Sequence, residues 1–151
     1  MKIVDLLAKD CIVLDMEAKQ IEDVWQVLAD RLVQAGAVED IEQYLQDIKK
    51  REQQGTTGVG FGVAIPHAKS AAVKRPALAM ARLQEGVDVA SLDGTKADLV
   101  FLIAAPLHGE DVHLRALSKL ARMLIHESFL ASLRTAKTAD EVLAVIQARE
   151  E

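Results

Sequence analysis

Four histidines occur in the chain, and one of them stands directly after a proline, at the end of the glycine-punctuated apolar run GVGFGVAIPHAKS, residues 58–70. Pro66 has a restricted φ and biases Ile65 toward an extended backbone, so His67 is carried on a stiff stem that favours one imidazole orientation. An imidazole with an ordinary pKa of about 6.5 is largely neutral and nucleophilic at pH 7. Histidine forms covalent intermediates in group transfer, and a phosphoryl group on imidazole is labile enough to be passed on. His67 is therefore a candidate phosphoryl acceptor. The competing reading is a histidine that ends a strand and bonds a neighbouring carbonyl.

Other residues fit around such chemistry. A transferred phosphoryl group needs positioned cations, imidazoles or backbone N–H groups to balance its charge. Arg51, at the end of one helical pattern, and His113, at the start of another, are the candidates. His113 stands where a helix N-terminus favours an anion. The amides of Gly58, Gly60 and Gly62 are also expected to be available to an anion. Lys69 is expected to face solvent, as are His108 and His126. A zinc site of His67, His108 and His113 lacks any recognised ligand spacing. The glycine run has neither the spacing of a dinucleotide fingerprint nor the GK[ST] ending of a phosphate loop.

The elements that must position these groups follow from periodicity. IVDLLAKD reads as a helical turn and CIVLDM as a strand. Ile21, Val24, Trp25, Leu28, Leu32 and Val33 recur at helical spacing before Gly36. VEDIEQYLQDIKKRE is a second helix, with Asp40 and Gln43 as a capping box and Val38 as a staple. Lys49, Lys50 and Arg51 fall in its last turn. ALAMARL and ADLVFLIAAP are strands, the second apolar enough to be buried on both faces, with a turn at Asp93-Gly94 between them. LHGED is a loop. HLRALSKLARMLIHE is a helix expected to bury Leu114, Leu117, Leu120, Ala121 and Leu124, and ESFLASLRTA is a short helix. TADEVLAVIQAR is a final helix capped by Thr138 and Glu141. The fold class is α/β: a single domain over residues 1–151, with a mixed β-sheet flanked by helices on both faces.

Composition narrows the functions. Half of the 151 residues are hydrophobic but only 3% are aromatic, and the net charge is −5. Acidity and few stacking rings argue against a nucleic-acid binder. One cysteine, Cys11, excludes an intrachain disulfide and reads as a small packed hydrophobe. Nothing approaches the ~20 apolar residues of a membrane span, so a cytoplasmic protein without direct membrane insertion is expected.

The segment REQQGTTGVGFGVAIPHAKS, residues 51–70, resembles the active-site signature of the enzyme IIA component, mannitol–fructose class, of the bacterial sugar phosphotransferase system. Glu52, Val59-Gly60, Val63-Ala64-Ile65-Pro66-His67 and Ala68 fill its elements. Residues 72–106 and 110–124 resemble the fructose-type version. The resemblance implies a mixed sheet flanked by helices, with no metal or nucleotide cofactor. It also implies that His67 accepts a phosphoryl group from the phosphocarrier protein HPr and passes it to an enzyme IIB, and through that to a membrane enzyme IIC. His113 and Arg51 then match phosphate-stabilising residues. Phe61, Val63 and exposed aliphatic residues near His67 are candidates for the docking surface. Two roles stay open: sugar uptake, with fructose or a related sugar or polyol, and a regulatory protein of the nitrogen-related branch.

Overall fold

The computed structural model describes residues 1–108 and 111–151. Gly109 and Glu110, in the expected loop LHGED, lie outside the described residues. The elements run α1 (Ile3–Leu6), β1 (Leu7–Met16), α2 (Ile21–Gln34), α3 (Ile41–Gln53), β2 (Gly58–Gly60), β3 (Val63–Ala64), β4 (His67–Ser70), β5 (Ala77–Val87), β6 (Ala97–Pro106), α4 (Val112–Leu124), α5 (Glu127–Thr135) and α6 (Ala139–Glu150). Six strands form one mixed sheet in the order β1-β5-β6-β3-β2, with β4 also pairing β6. β5 and β6 are antiparallel, whereas β3 and β4 both run parallel to β6. The α/β architecture is the one expected.

β6 is the axis of the domain. Residues Leu99 to Ala105 are buried without a break, because helices cover both faces of the strand. α2 and α3 pack against each other and against β5 and β4, while α4 and α6 pack on β6 and β1 with α5 between them. Cys11 is 1% exposed, and burial, with Asp10 beside it, pushes its thiol pKa up. It packs as a hydrophobe, as its apolar context suggests.

Local signals mostly act as expected, with instructive departures. Asp40 caps α3 by accepting from Gln43 N at 3.2 Å, but the Gln43 amide turns forward to Asp47, so only half of the capping box forms. Val38 is buried and its backbone forms an isolated antiparallel bridge with Val73. Thr138 caps α6 through Glu141 N at 3.1 Å. On α4 the buried residues are Ala116, Leu120, Met123 and Leu124, and Leu114 is 51% exposed. The buried face is rotated from the expected one. Among the described residues no helix is long and apolar enough to cross a membrane.

Candidate phosphoryl-transfer site

His67 opens β4 directly opposite Ile103 of β6. The stem is pinned at successive points: Ile103 N donates to Pro66 O at 3.0 Å, and the buried Tyr44 hydroxyl donates to Ile103 O at 2.9 Å. His67 is 9% exposed, and its Nδ1 lies 2.8 Å from the Ile65 carbonyl. A carbonyl can only accept, so Nδ1 carries the proton and the lone pair sits on Nε2. The neighbouring-carbonyl bond of the competing reading is present, and it leaves the second nitrogen nucleophilic.

A cleft of about 490 Å³ opens at this position, lined by Arg51, Lys50 and Asp47 of α3, His67 and Lys69 of β4, and His113 with Leu114 and Leu117 of α4. Sequence reasoning placed His67, Arg51 and His113 on three separate elements, and the fold brings all three to one opening. A larger cleft of about 600 Å³ lies elsewhere, beside Met16, Glu17, Asp23 and Glu85. Lys19 also lines it, and it holds no histidine, so size alone does not mark the site.

Burial is the main cause holding the His67 imidazole below its ordinary value. The bond to Ile65 opposes that, Arg51 adds to the lowering, and Glu52 opposes it. His113 is also lowered, first by burial, then by Lys69 and His67, with Asp111 opposing. Both rings are therefore neutral at pH 7. His113 stands near the N-terminus of α4 with a buried Nδ1 that has no hydrogen-bond partner among the described residues. A buried polar atom without a partner is costly unless a ligand completes it. Arg51 Nη1 donates to Gly55 O at 2.9 Å, which holds its guanidinium at the mouth of the cleft.

Lys69 is exposed, as expected, yet it lines the cleft. Its place two residues after His67 puts both side chains on one sheet face only if β4 is regular, a signal too weak to assign it from sequence. The docking candidates are redistributed. Val63 is 1% exposed and belongs to the core. Phe61 is 57% exposed, but β3 meets β6 at Leu99, four residues before Ile103, which puts the glycine turn about 13 Å along the strand from His67. The apolar rim at the cleft is Leu114 and Leu117 instead.

The glycine amides are not free for a foreign anion. Gly58 N donates to Thr56 Oγ1 at 2.9 Å, Gly60 N to Ser91 Oγ at 3.1 Å, Phe61 N to Asp93 Oδ2 at 2.9 Å and Gly62 N to Thr95 Oγ1 at 3.1 Å. The Thr95 and Phe61 amides, with the Thr95 hydroxyl, hold the Asp93 carboxyl below its ordinary value. Gly60, Phe61 and Gly62 all have positive φ, and the flanking glycines adopt it without the cost that Phe61 bears. His108 and His126 are exposed, and among the described residues no group of three His, Cys, Asp or Glu is placed to hold a metal.

Comparison with known proteins agrees with this geometry. Residues 5–149 match the family described as phosphoenolpyruvate-dependent sugar phosphotransferase system, EIIA 2. The chain is 43% identical, over 97% of its length, to the PTS system fructose-specific EIIABC component of Bacillus subtilis, of which it spans 23%. The nitrogen regulatory protein IIA-Ntr of Neisseria meningitidis has a similar structure, with a TM-score of 0.88 and 33% identity, over 95% of this chain and 98% of that one. A complex of enzyme IIAMTL and phosphorylated enzyme IIBMTL from Escherichia coli gives a TM-score of 0.81 at 26% identity, over 95% of this chain and 99% of its counterpart. The chain belongs to the EIIA 2 family of the phosphoenolpyruvate-dependent sugar phosphotransferase system.

Proposed function

We propose that this EIIA domain, residues 1–151, takes a phosphoryl group from the phosphocarrier protein HPr onto His67 and hands it to an enzyme IIB in the cytoplasm, feeding uptake of fructose or a related sugar or polyol through a membrane enzyme IIC. The observation that carries the reading is the meeting of His67, His113 and Arg51 at one cleft, with Nε2 of a neutral His67 free to attack.

The step balances without moving a proton. The Nε2 lone pair of His67 forms a bond to phosphorus while the bond from phosphorus to the donor imidazole breaks, and the donor ring keeps that electron pair. Positive charge develops on the His67 ring, and the Nδ1–H bond to Ile65 O disperses it. The transferred group carries its charge on three equatorial oxygens. Arg51, Lys69 and the His113 imidazole are the donors for those oxygens, and Leu114 and Leu117 help exclude water when two active sites meet. The 43% identity to a fructose-specific EIIABC component supports the sugar class and the enzyme IIB and IIC partners.

Exposure to phospho-HPr, followed by intact mass measurement and an acid-lability check, tests the proposal. An acid-labile phosphate on the wild type that is absent from His67→Ala is expected. No phosphate on folded wild type overturns it. A second reading is favoured by the likeness to IIA-Ntr: the same phosphohistidine switches binding to a regulatory partner. Onward transfer to a fructose-type enzyme IIB separates the two, because the regulatory reading predicts stable phosphate that this acceptor does not discharge.

A further inference from the structure

We propose that Glu52 is a positioning residue that sets the tautomer of His67 through Thr57 and Ile65, an inference that rests on His67 being the phosphoryl acceptor. Glu52 lies in the last turn of α3 and spends both carboxylate oxygens on one residue. Its Oε2 accepts from Thr57 N at 2.8 Å and its Oε1 accepts from the Thr57 hydroxyl. Thr57 is 6% exposed, so these bonds are sheltered from water. Thr57 O in turn accepts from Ile65 N at 2.9 Å, and Ile65 O takes Nδ1 of His67.

Between Glu52 and Ile65 the chain passes through an irregular stretch, residues 54–57, before it enters β2 and β3. Gly55 has a φ of +151°, and α3 also holds this stretch through Arg51 on Gly55 O and through the Gln54 and Gly55 amides on Arg51 O and Glu52 O. Ile65 is followed by Pro66, whose ring removes one torsion. With Pro66 O already held by Ile103 N, fixing Ile65 N on Thr57 restrains the Ile65 carbonyl from its other side and limits its turning away from the imidazole. Both carboxylate bonds of Glu52 go to Thr57, so its geometric effect on His67 runs through the intervening backbone. The Arg51–Glu52 step thus divides its labour, with the guanidinium at the mouth of the cleft and the carboxylate behind the histidine stem.

Its charge adds a second, separable effect. The charged and titratable groups around His67 are Asp47, Lys50, Arg51 and Glu52 on α3, Lys69 on β4 and His113 on α4. Among them Glu52 is a carboxylate that favours the protonated ring. Removing the charge while keeping the shape lowers the His67 pKa further; removing the whole side chain also frees the tautomer.

Long-range nitrogen–proton NMR of the unphosphorylated full chain reads the tautomer directly. At pH 8 the wild type is expected to hold the proton on Nδ1. Glu52→Ala is expected to show a mixture with the Nε2–H form, and its phosphorylation rate by phospho-HPr is expected to fall on the order of tenfold. Glu52→Gln keeps an oxygen for Thr57 N, so it is expected to retain the Nδ1–H tautomer while His67 titrates at lower pH than in the wild type. A folded Glu52→Ala with unchanged tautomer and rate overturns the proposal. Should that variant fail to fold, Thr57→Val, which lacks the hydroxyl, replaces it: a partial shift of the tautomer supports the proposal, and an unshifted tautomer overturns it. A wild type that holds the Nδ1–H tautomer but takes no phosphate defeats the acceptor reading and leaves the positioning role of Glu52 standing.

Discussion

At the glycine turn, the amides of Gly58, Gly60, Phe61 and Gly62 each donate to a side-chain oxygen of the chain itself. At the histidine cleft, Nδ1 of His113 has no partner, and Lys50 and Lys69 make no ion pair among the described residues. Both regions assemble donors suited to an anion. The first has been filled from within, by Asp93 and the hydroxyls around it, and so it has become part of the fold. At the second the described chain supplies no such acceptor to Nδ1 of His113 or ion-pair partner to Lys50 and Lys69, as the proposed phosphoryl site requires. Donor-rich sequence does not by itself locate a binding site; what separates the two is whether the chain already supplies the acceptor.

The sharpest way to break that contrast is to remove a donor from the cleft. His113→Ala is expected to slow phosphorylation by phospho-HPr on the order of 100-fold while leaving the unfolding midpoint nearly unchanged. An unaltered rate would remove His113 from the site. Next comes overfilling the closed region. A Cβ at Gly62 would lie 2.5 Å from Arg134 Nη2 and 2.9 Å from Asp98 Oδ1, at a φ of +79°. Gly62→Ala is expected to destabilise the domain by about 1–3 kcal/mol in urea unfolding, with the transfer rate of the folded fraction intact.

A smaller effect is expected from acid. Both cleft histidines have folded values lowered mainly by burial. Above about pH 6.5 they are neutral in the folded and the unfolded chain, and their contribution to stability is complete. As the pH falls below about 6.5 the unfolded chain takes up protons that the folded one refuses, and stability is lost until the folded values are passed. The transfer rate should follow, level from about pH 8 through 6.5 and declining only below. A rate that halves at about 6.5 or above would contradict the burial argument. The smallest change is expected from Asp93→Asn, which weakens an exposed acceptor at the glycine turn: a slightly lower melting temperature and no change in phosphorylation.

The parts of this arrangement that were legible in the sequence are those set by short-range rules. Pro66-His67 fixes its own geometry, the apolar run of β6 announces burial on both faces, and Thr138 and Asp40 cap helices within three residues. What escaped depends on contacts between distant positions. Nothing local says that Ser91, Asp93 and Thr95 will occupy the amides of residues 60–62, far earlier in the chain. Helical spacing on α4 also admits more than one apolar face. Ala116 and Met123 take the core, which turns Leu114 outward to the cleft. Lys69 escaped because its place at the cleft depends on α3 and α4 both reaching the end of β4.

The turn has one more effect, on the outer margin of the sheet. β2 is its last strand, and a terminal strand with unpaired amides is a template on which another chain can polymerise. Here the N–H groups of Gly58 and Gly60 are already spent on Thr56 and Ser91, although Val59, Phe61 and Leu92 expose apolar surface close by. The hydroxyls therefore act as a selvedge. They finish the border of the sheet so that its outer strand offers fewer free amides on which another chain could add.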